Sequence, residues 1–347
     1  MLVTVKNVLI MSFVIVEKAI NMSKDYYIFS NGRLQRKDNT VYFEDTDGNV
    51  KYIPVENVEK IHIFGETELN NKFLNLITKF GIMLNFYNYY GYYIGTFYPR
   101  KKNVSGFLLV KQADNYTDNV KRLYLAKCFV ESSAYHIIRN LRSHNIDGGE
   151  LEKINSEREN ISKTMDIKEL MGCEGRIRKN YYSVFNKILK NNFLLNSREK
   201  RPPKDPVNAL ISFGNMQMYT TVLGEIYKTQ LDPTISYLHE PSTKRFSLSL
   251  DIAEIFKPLV VDAVIFKLIN NKMITKSDFD MDTDFCFLND NGKKKFIKEY
   301  EEKLHTTIKH RKLNRNISYK GFILLECYKL IKHLINDETY KPLKAWW

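Results

Sequence analysis

The stretch FYPRKKNVSG, residues 97–106, divides the sequence into two parts with different patterns. Before it, from Asp25 to about Tyr98, short apolar and β-branched runs alternate with turn residues, which is typical of strands. After it, long segments carry apolar residues at helical spacing. The stretch itself is basic and has the composition of a loop. The sequence therefore predicts an α+β protein, with a small β-rich N-terminal domain followed by a larger all-helical C-terminal domain.

The β-rich domain is predicted over residues 22–99. Asn-Gly at 31–32 and Asp-Gly at 47–48 predict tight hairpin turns, because both pairs tolerate positive φ. One helix is predicted in LNNKFLNLITKFG, residues 69–81, with its last residue, a glycine, ending it. Because the domain is small and rich in edge strands and aromatic residues, we expect it to mediate dimerisation.

A linker is predicted over residues 100–116, and a helical domain over 117–347, which carries the candidate catalytic residues described below. The segment NVKRLYLAKCFVESSAYHIIRNLR, residues 119–142, places its apolar side chains on one helical face. Further helices are predicted over 151–195, 207–228, 248–271 and 293–336.

The N-terminal residues contain VLIMSFVIV, an apolar stretch about half as long as a membrane-spanning helix needs. The segment from Met22, MSKDYYIFSNG, begins like a domain. We therefore predict that residues 1–21 are an extension from an upstream start. N-terminal sequencing of natively expressed protein tests this, because a mature chain beginning at Met1 would contradict it.

The composition indicates a polyanionic partner. The 347-residue chain has 53 Lys and Arg residues and 40 Asp and Glu residues, so its net charge is +13. Such a surplus favours nucleic acid or an acidic membrane surface. The four cysteines lie far apart without a CxxC pair, which excludes a zinc ribbon by local spacing and favours a reducing, cytoplasmic setting.

The segment YLHEPSTKRFSLSLDIAEIF, residues 237–256, brings His239, Asp251 and Glu254 close together in sequence. Asp251 and Glu254 are three positions apart on a predicted helix and so share a face. One imidazole and two carboxylates can hold a divalent ion with open positions for water or substrate. The alternative is structural, because acids in the first turns of a helix also favour its dipole.

A further carboxylate, Glu174, begins the helical segment LMGCEGRIRKNYYSVFNKIL, residues 170–189. Paired with Arg178 it could be an ordinary surface ion pair at i, i+4. The basic side chains around it also suit phosphate contacts. Other basic clusters could follow a phosphate backbone or could form solvated helix faces. The candidate DNA-binding residues are Arg176, Arg178, Lys179, Arg198, Arg201, Lys244, Arg245, Arg311 and Lys312.

Several motifs in series resemble the CRISPR-associated adaptation integrase and endonuclease family, Cas1. They are GCEGRIRKNYY, DPVNALISFGN, LDPTISYLHE, KRFSLSLDIAEIFKP and NISYKGFILLECYKL, and the similarity covers roughly residues 24 to 345. The sequence KRFSLSLDIAEIFKP resembles the corresponding segment of subtype I-B members. The sequence departs from the family at Ser236 and Lys244, where glycine is frequent, and at Lys257, where arginine is usual.

The resemblance implies a metal-dependent DNA endonuclease and integrase that inserts new spacers into a CRISPR array by phosphoryl transfer. It implies that Glu174, His239 and Glu254 coordinate Mg²⁺ or Mn²⁺, with Asp251 as a neighbouring catalytic acid. The implied partners are double-stranded DNA (protospacer and CRISPR repeat or leader), a second copy of the chain, and the small second adaptation protein, Cas2. The alternatives are a DNA-binding scaffold without catalysis and a repair nuclease acting on branched DNA.

Overall fold

The computed structural model describes residues 24–100, 103–199, 202–241 and 246–347. The chain divides into two compact units between Lys102 and Asn103. The predicted extension, residues 1–21, lies outside the described residues, so that prediction stays open. Within the described residues, no helix is both long and apolar enough to cross a membrane.

The described residues of the first unit form two four-stranded sheets and one α-helix. The strands are β1 Lys24–Ile28, β2 Gly32–Lys37, β3 Thr40–Asp45, β4 Val50–Pro54, β5 Val58–Ile63, β6 Thr67–Leu69, β7 Met83–Tyr87 and β8 Tyr93–Phe97. One sheet has the order β1-β5-β7-β8, with β8 antiparallel to β7 and the other pairs parallel. The other has the order β4-β3-β2-β6.

The turn predictions for this unit have different outcomes. The Asp-Gly turn is confirmed, because β3 and β4 pair as antiparallel neighbours and Gly48 between them has a φ of +82°. The Asn-Gly hairpin is wrong, because β1 and β2 belong to different sheets. Gly32 instead allows a close strand approach, since a Cβ there would lie 2.2 Å from the carbonyl oxygen of Glu44.

The helix of this unit, α1 Asn71–Phe80, confirms the predicted one. Its first turn is capped by the Asn70 side chain, which accepts a hydrogen bond of 2.9 Å from the Phe73 N–H. Gly81 ends it in the left-handed conformation. Buried side chains of the helix and both sheets form one core, which includes Leu34, Val41, Ile61, Phe73, Ile77 and Leu84.

The second unit is mostly helical. Its helices are α2 Gly106–Thr117, α3 Asn119–Ser143, α4 Gly149–Ile161, α5 Ile167–Ser183, α6 Phe185–Ile188, α7 Pro206–Tyr227, α8 Ser247–Phe256, α9 Ala263–Asn270, α10 Asp290–His305 and α11 Tyr319–Leu334. The predicted architecture, a β-rich part followed by a larger helical part, is confirmed.

The linker predicted over 100–116 is partly helical, because α2 begins at Gly106. The Ser105 hydroxyl starts this helix by accepting a hydrogen bond of 3.2 Å from the Leu108 N–H. The helix predicted over 151–195 is broken after Ile161, and Asp166 caps the next one by accepting a 2.8 Å bond from the Glu169 N–H. Acceptor side chains therefore mark helix starts that the periodicity alone did not locate.

Two short antiparallel strand pairs interrupt the domain that was expected to be all-helical. They are β9 Phe279–Met281 with β10 Cys286–Leu288, and β11 Thr307–Lys309 with β12 Asn316–Ser318. The second pair breaks the helix predicted over 293–336. Its strands carry β-branched residues on either side of a turn in which Asn314 has a φ of 51°.

Helix α7 lies at the centre of the second unit, with buried residues on every face. Gly214 on this helix permits close packing, because a Cβ there would lie 2.5 Å from a methyl group of Val261 and 2.7 Å from the Phe296 ring. Helix α8 packs against both α7 and α3. The segment that carries Asp251 and Glu254 is therefore held by the core.

Candidate active site

Helix α8 and the loop before it supply three of the predicted site residues. Phe246, at the N-cap of α8, provides no capping side-chain hydrogen bond, and the Ser247 hydroxyl donates a 2.9 Å hydrogen bond to the Thr234 carbonyl oxygen. Past the acids, the helix widens into a π-helical turn over Lys257–Asp262. This turn includes Pro258, which has no N–H to donate to a carbonyl oxygen of the preceding turn.

Asp251 is fully buried and holds the loop that carries His239. Its Oδ2 accepts hydrogen bonds from the backbone N–H groups of Tyr237 and Leu238, at 2.7 and 2.9 Å. Its Oδ1 accepts from the backbone N–H of His239 at 3.0 Å and lies 2.8 Å from Nδ1 of the same residue. Asp251 therefore fixes both the position and the ring orientation of His239.

The His239 ring is mostly buried. Burial opposes its protonation, but the hydrogen bond and charge of Asp251, together with the charge of Glu254, raise the pKa of His239 above its ordinary value. With Nδ1 on the Asp251 carboxylate, Nε2 is the ring atom available to a metal ion or substrate.

Glu174 and Glu254 share one cation, the guanidinium of Arg178. The Nε of Arg178 donates a hydrogen bond of 3.1 Å to Glu174. Its Nη2 donates to Glu254 and, at 3.2 Å, to the Ser133 hydroxyl. The structure thus brings together two predicted acids that lie 80 positions apart in the sequence.

The Glu254 carboxylate also accepts a hydrogen bond from the ammonium group of Lys257, one helical turn further along. Only 8% of its side chain is exposed. Burial alone would favour the protonated carboxyl, but the charges of Lys257, Arg178 and His239 hold the pKa of Glu254 well below its ordinary value. The group is therefore a carboxylate at neutral pH.

A cavity of about 560 Å³ opens at this cluster. Glu174, Glu254 and Lys257 line it, and so do three of the predicted DNA-binding residues: Arg178, Lys179 and Arg198. The Arg198 guanidinium is fixed there by hydrogen bonds of 2.8 Å to Asn208 and 3.0 Å to Ser212. Carboxylates and cations facing one cavity can hold a divalent ion and phosphate oxygens together.

The other predicted DNA-binding residues do not line this cavity. Arg176 is exposed and forms an ion pair of 2.9 Å with Glu157. Arg311 lies over the Trp346 ring, and its neighbour Lys312 is exposed. The remaining three, Arg201, Lys244 and Arg245, lie outside the described residues.

A metal ion fits the donor set of this cluster but not its present arrangement. Two carboxylates and an imidazole with its Nδ1 on a carboxylate are ligands suited to Mg²⁺ or Mn²⁺. Within the described ranges, however, no three His, Cys, Asp or Glu side chains are grouped as they stand to hold one ion. The Arg178 guanidinium occupies the place between the two acids.

His136 connects the site helix to the C-terminal segment. The ring is buried, and its Nδ1 lies 2.9 Å from the carbonyl oxygen of Ile255, the residue that follows Glu254. Its Nε2 accepts a 3.0 Å hydrogen bond from the Ala345 N–H. These partners assign Nδ1 as the protonated nitrogen. Burial lowers the pKa of His136 to about 3, so the ring stays neutral and this tautomer is fixed.

Comparison with known proteins identifies the family. The sequence model described as CRISPR associated protein Cas1 matches residues 26–302. The chain belongs to the Cas1 family. A CRISPR-associated endonuclease Cas1 of Clostridium perfringens is 62% identical over 330 residues, 94% of this chain and 100% of that relative.

Two solved structures extend the comparison. A CAS1 protein from Thermotoga maritima matches this Cas1 chain with a TM-score of 0.85 at 42% identity, over 91% of this chain and 99% of that one. A casposase bound to integration product matches with a TM-score of 0.83 over 93% of this chain and 94% of that one. At 18% identity, the second likeness shows the shared fold alone.

Two residues of the candidate site in this Cas1 family member were not predicted from the sequence. Lys257 appeared only as a departure from the family pattern, although its position three residues after Glu254 on a helix predicts an ion pair. His136 gave no signal, because its partners are main-chain groups 119 and 209 positions away. Distant main-chain contacts leave no side-chain pattern to recognise.

Proposed function

We propose that this Cas1 family member is a metal-dependent DNA endonuclease and integrase that inserts new spacers into a CRISPR array. One observation carries the proposal. Glu174 and Glu254, from distant parts of the chain, share the cation Arg178 at a cavity lined by further cations. Such a site accommodates a cation between acids beside a phosphodiester.

Glu174, His239 and Glu254 would hold Mg²⁺ or Mn²⁺. The Arg178 guanidinium would then leave its place between the two glutamates. When bound, the ion withdraws charge from the phosphodiester oxygens and lowers the pKa of an attacking hydroxyl or water. Asp251 keeps the His239 ring oriented, because it binds Nδ1 and three backbone N–H groups of the same loop.

The cations of the cavity position the DNA. Lys179 and Arg198 line the cavity, and Arg178 becomes available to a phosphate once the acids bind another cation. Lys257 neutralises part of the Glu254 charge and so keeps two close carboxylates compatible with a polyanionic substrate. Substrate binding in this proposal weakens steeply with salt.

The reaction proposed is a transesterification. The 3′-oxygen of the incoming DNA end bonds to phosphorus in the repeat strand, and the bond between that phosphorus and the 3′-oxygen of the preceding nucleotide breaks. The attacking hydroxyl loses its proton and the departing oxygen gains one, so charge balances. Attack by water in place of the hydroxyl gives strand cleavage.

The proposed partners are double-stranded DNA, a second copy of the chain, and the small second CRISPR adaptation protein, Cas2. The net charge of +13 supports the DNA partner. Exposed apolar side chains on the first unit, including Tyr52, Tyr89 and Ile94, support a self-association surface there.

A joining assay tests the proposed function. A labelled duplex with free 3′-hydroxyls is incubated with repeat-containing plasmid and Cas2, in Mn²⁺, Mg²⁺ or EDTA, using wild type and Glu174→Ala. We expect metal-dependent joining that the variant loses. DNA binding without joining or cutting in any condition would favour a scaffold. Equal activity on an arbitrary Holliday junction would favour a repair nuclease.

A further inference from the structure

A second cavity, of about 550 Å³, shares no lining residue with the candidate active site within the described parts of the chain. Helix α3 supplies Arg139 and Asn140 to its walls, α10 supplies Lys303, and the C-terminal segment supplies Trp347. No Asp or Glu side chain is among the described residues that line it. We refer to it as the Trp347 cavity.

Two cations of the Trp347 cavity have no acidic partner within the described parts of the chain. Arg139 is half-buried and makes neither a hydrogen bond nor an ion pair among the described residues. Lys303, also half-buried, lies 4.6 Å from the centre of the Tyr319 ring and likewise has no ion pair in the described structure. Lys267 differs, because Glu299 and Glu302 neutralise it. Partly buried cations without counter-ions favour an anionic ligand.

Trp347 gives the cavity an aromatic wall. The ring is half-buried and stacks on Phe322 with centres 5.0 Å apart. Its Nε1 donates a 2.9 Å hydrogen bond to the Tyr319 hydroxyl, which fixes the ring plane. A fixed ring that lines the same cavity as two cations offers the stacking and phosphate contacts by which proteins hold a nucleotide.

A basic loop continues from the Trp347 cavity. The Arg311 guanidinium, in the loop between β11 and β12, lies 5.3 Å from the centre of the Trp346 ring. The rings of Trp346 and Trp347 are in edge contact, with centres 4.9 Å apart. Arg311 and Lys312 therefore lie beside the aromatic pair and extend its positive charge, as a chain of phosphates would require.

We propose that the Trp347 cavity binds an unpaired nucleotide, with its phosphate at Arg139 and Lys303 and its base against Trp347. The basic loop points to a nucleotide within a DNA strand, and a free nucleotide carries the same chemistry. The site is separate from the acids of the candidate active site and needs no metal ion. It adds a second nucleotide-binding site to the chain.

Intrinsic fluorescence tests the proposal, because Trp346 and Trp347 are the two tryptophans of the chain. In EDTA, the full-length protein is titrated with a duplex bearing a single-stranded tail, with the matching blunt duplex, and with a deoxynucleoside monophosphate. We expect saturable quenching by the tailed duplex and not by the blunt one. Quenching by the free nucleotide at similar concentration would support the site and identify the free nucleotide as its ligand.

Arg139→Gln should weaken this quenching about five- to ten-fold in Kd and reduce the salt dependence by about one phosphate contact. Arg142→Gln is the matched control, because Arg142 is an exposed cation on the same helix, outside the cavity. Equal loss in both variants, no loss in Arg139→Gln, or equal quenching by blunt DNA would overturn the proposal. Glu174→Ala should retain the quenching, which separates this site from the proposed catalytic function.

Discussion

Oδ1 of Asp251 lies 2.8 Å from Nδ1 of His239, and the carboxylate that makes this contact is fully buried. The same carboxylate binds three consecutive backbone N–H groups that end at His239. One side chain therefore sets both the loop and the imidazole. The role left open by the sequence, that of the acid beside the predicted ligands, is explained as positioning.

Asp251→Asn should destabilise the protein. The amide keeps one acceptor oxygen and turns an NH₂ group toward buried N–H donors, so we expect a loss of about 2–4 kcal/mol in the free energy of unfolding. Urea denaturation measures it. Asp284→Asn, at an exposed position, should change the value by less than about 0.5 kcal/mol. A loss no greater than that of the control would contradict the positioning role.

Arg178→Met should destabilise the protein in EDTA and make it more responsive to metal. Without the guanidinium, the buried Glu254 and its neighbour Glu174 lose a shared counter-ion, at a cost of about 3 kcal/mol. Mn²⁺ should restore most of this stability, raising the melting temperature more in the variant than in wild type. Arg176→Met, at an exposed ion pair, should cost under about 1 kcal/mol and show no such gain.

His136 should couple the C-terminal segment to the site helix. His136→Ala removes the donor to Ile255 and the acceptor for Ala345, so we expect a loss of about 2–3 kcal/mol and weaker Mn²⁺ binding by calorimetry. His136→Gln can supply one donor and one acceptor and should recover part of both. Metal binding unchanged in His136→Ala would show that the contact is structural only.

Asp262 should make stability depend on pH. Burial raises the pKa of Asp262 to about 6 from its ordinary 3.8, against the opposing charge of Arg178 and the hydrogen bond from the Tyr181 hydroxyl. The folded state then binds this proton more tightly than the unfolded chain. Stability from this group is present below about pH 4 and is lost as the pH rises through about 6.

Asp262→Asn should remove that dependence. The quantity compared is the unfolding free energy of the variant minus that of wild type. We expect this difference to shift in favour of the variant between pH 4 and pH 7, by up to about 3 kcal/mol. The measurement is urea denaturation of both proteins across this range. A stability difference that does not vary with pH would show that the Asp262 pKa is not raised.

Local patterns marked the acids of the candidate site only as possibilities, and the family resemblance grouped them into one ligand set. Glu174 and Glu254 lie in helices whose apolar faces are visible in the sequence, and both reach one cluster in the structure. The sequence could not show that Arg178, predicted as a phosphate contact, lies between them, because an i, i+4 pair with Glu174 is equally compatible with an exposed surface.

The sequence predicted those elements that depend on neighbouring residues. It did not predict those that depend on contacts between distant parts of the chain. Helix α1 with its terminal Gly81 followed from capping and periodicity. The Asn-Gly pair at 31–32 does not form a hairpin, because the strands on either side of it, β1 and β2, pair with strands of two different sheets. The sequence around the turn does not show which partners these strands choose. The contacts of His136 depend on main-chain groups, so they required the folded chain.

Pulsed electron paramagnetic resonance of bound Mn²⁺ tests most directly whether Glu174, His239 and Glu254 form one metal centre. Nitrogen coupled to the ion identifies an imidazole ligand. We expect a ¹⁴N coupling in wild-type protein that is absent in His239→Ala, and weaker Mn²⁺ binding in Glu174→Ala and Glu254→Ala. Mn²⁺ bound with the same ¹⁴N coupling in His239→Ala, or no bound Mn²⁺ at all in wild type, would contradict it.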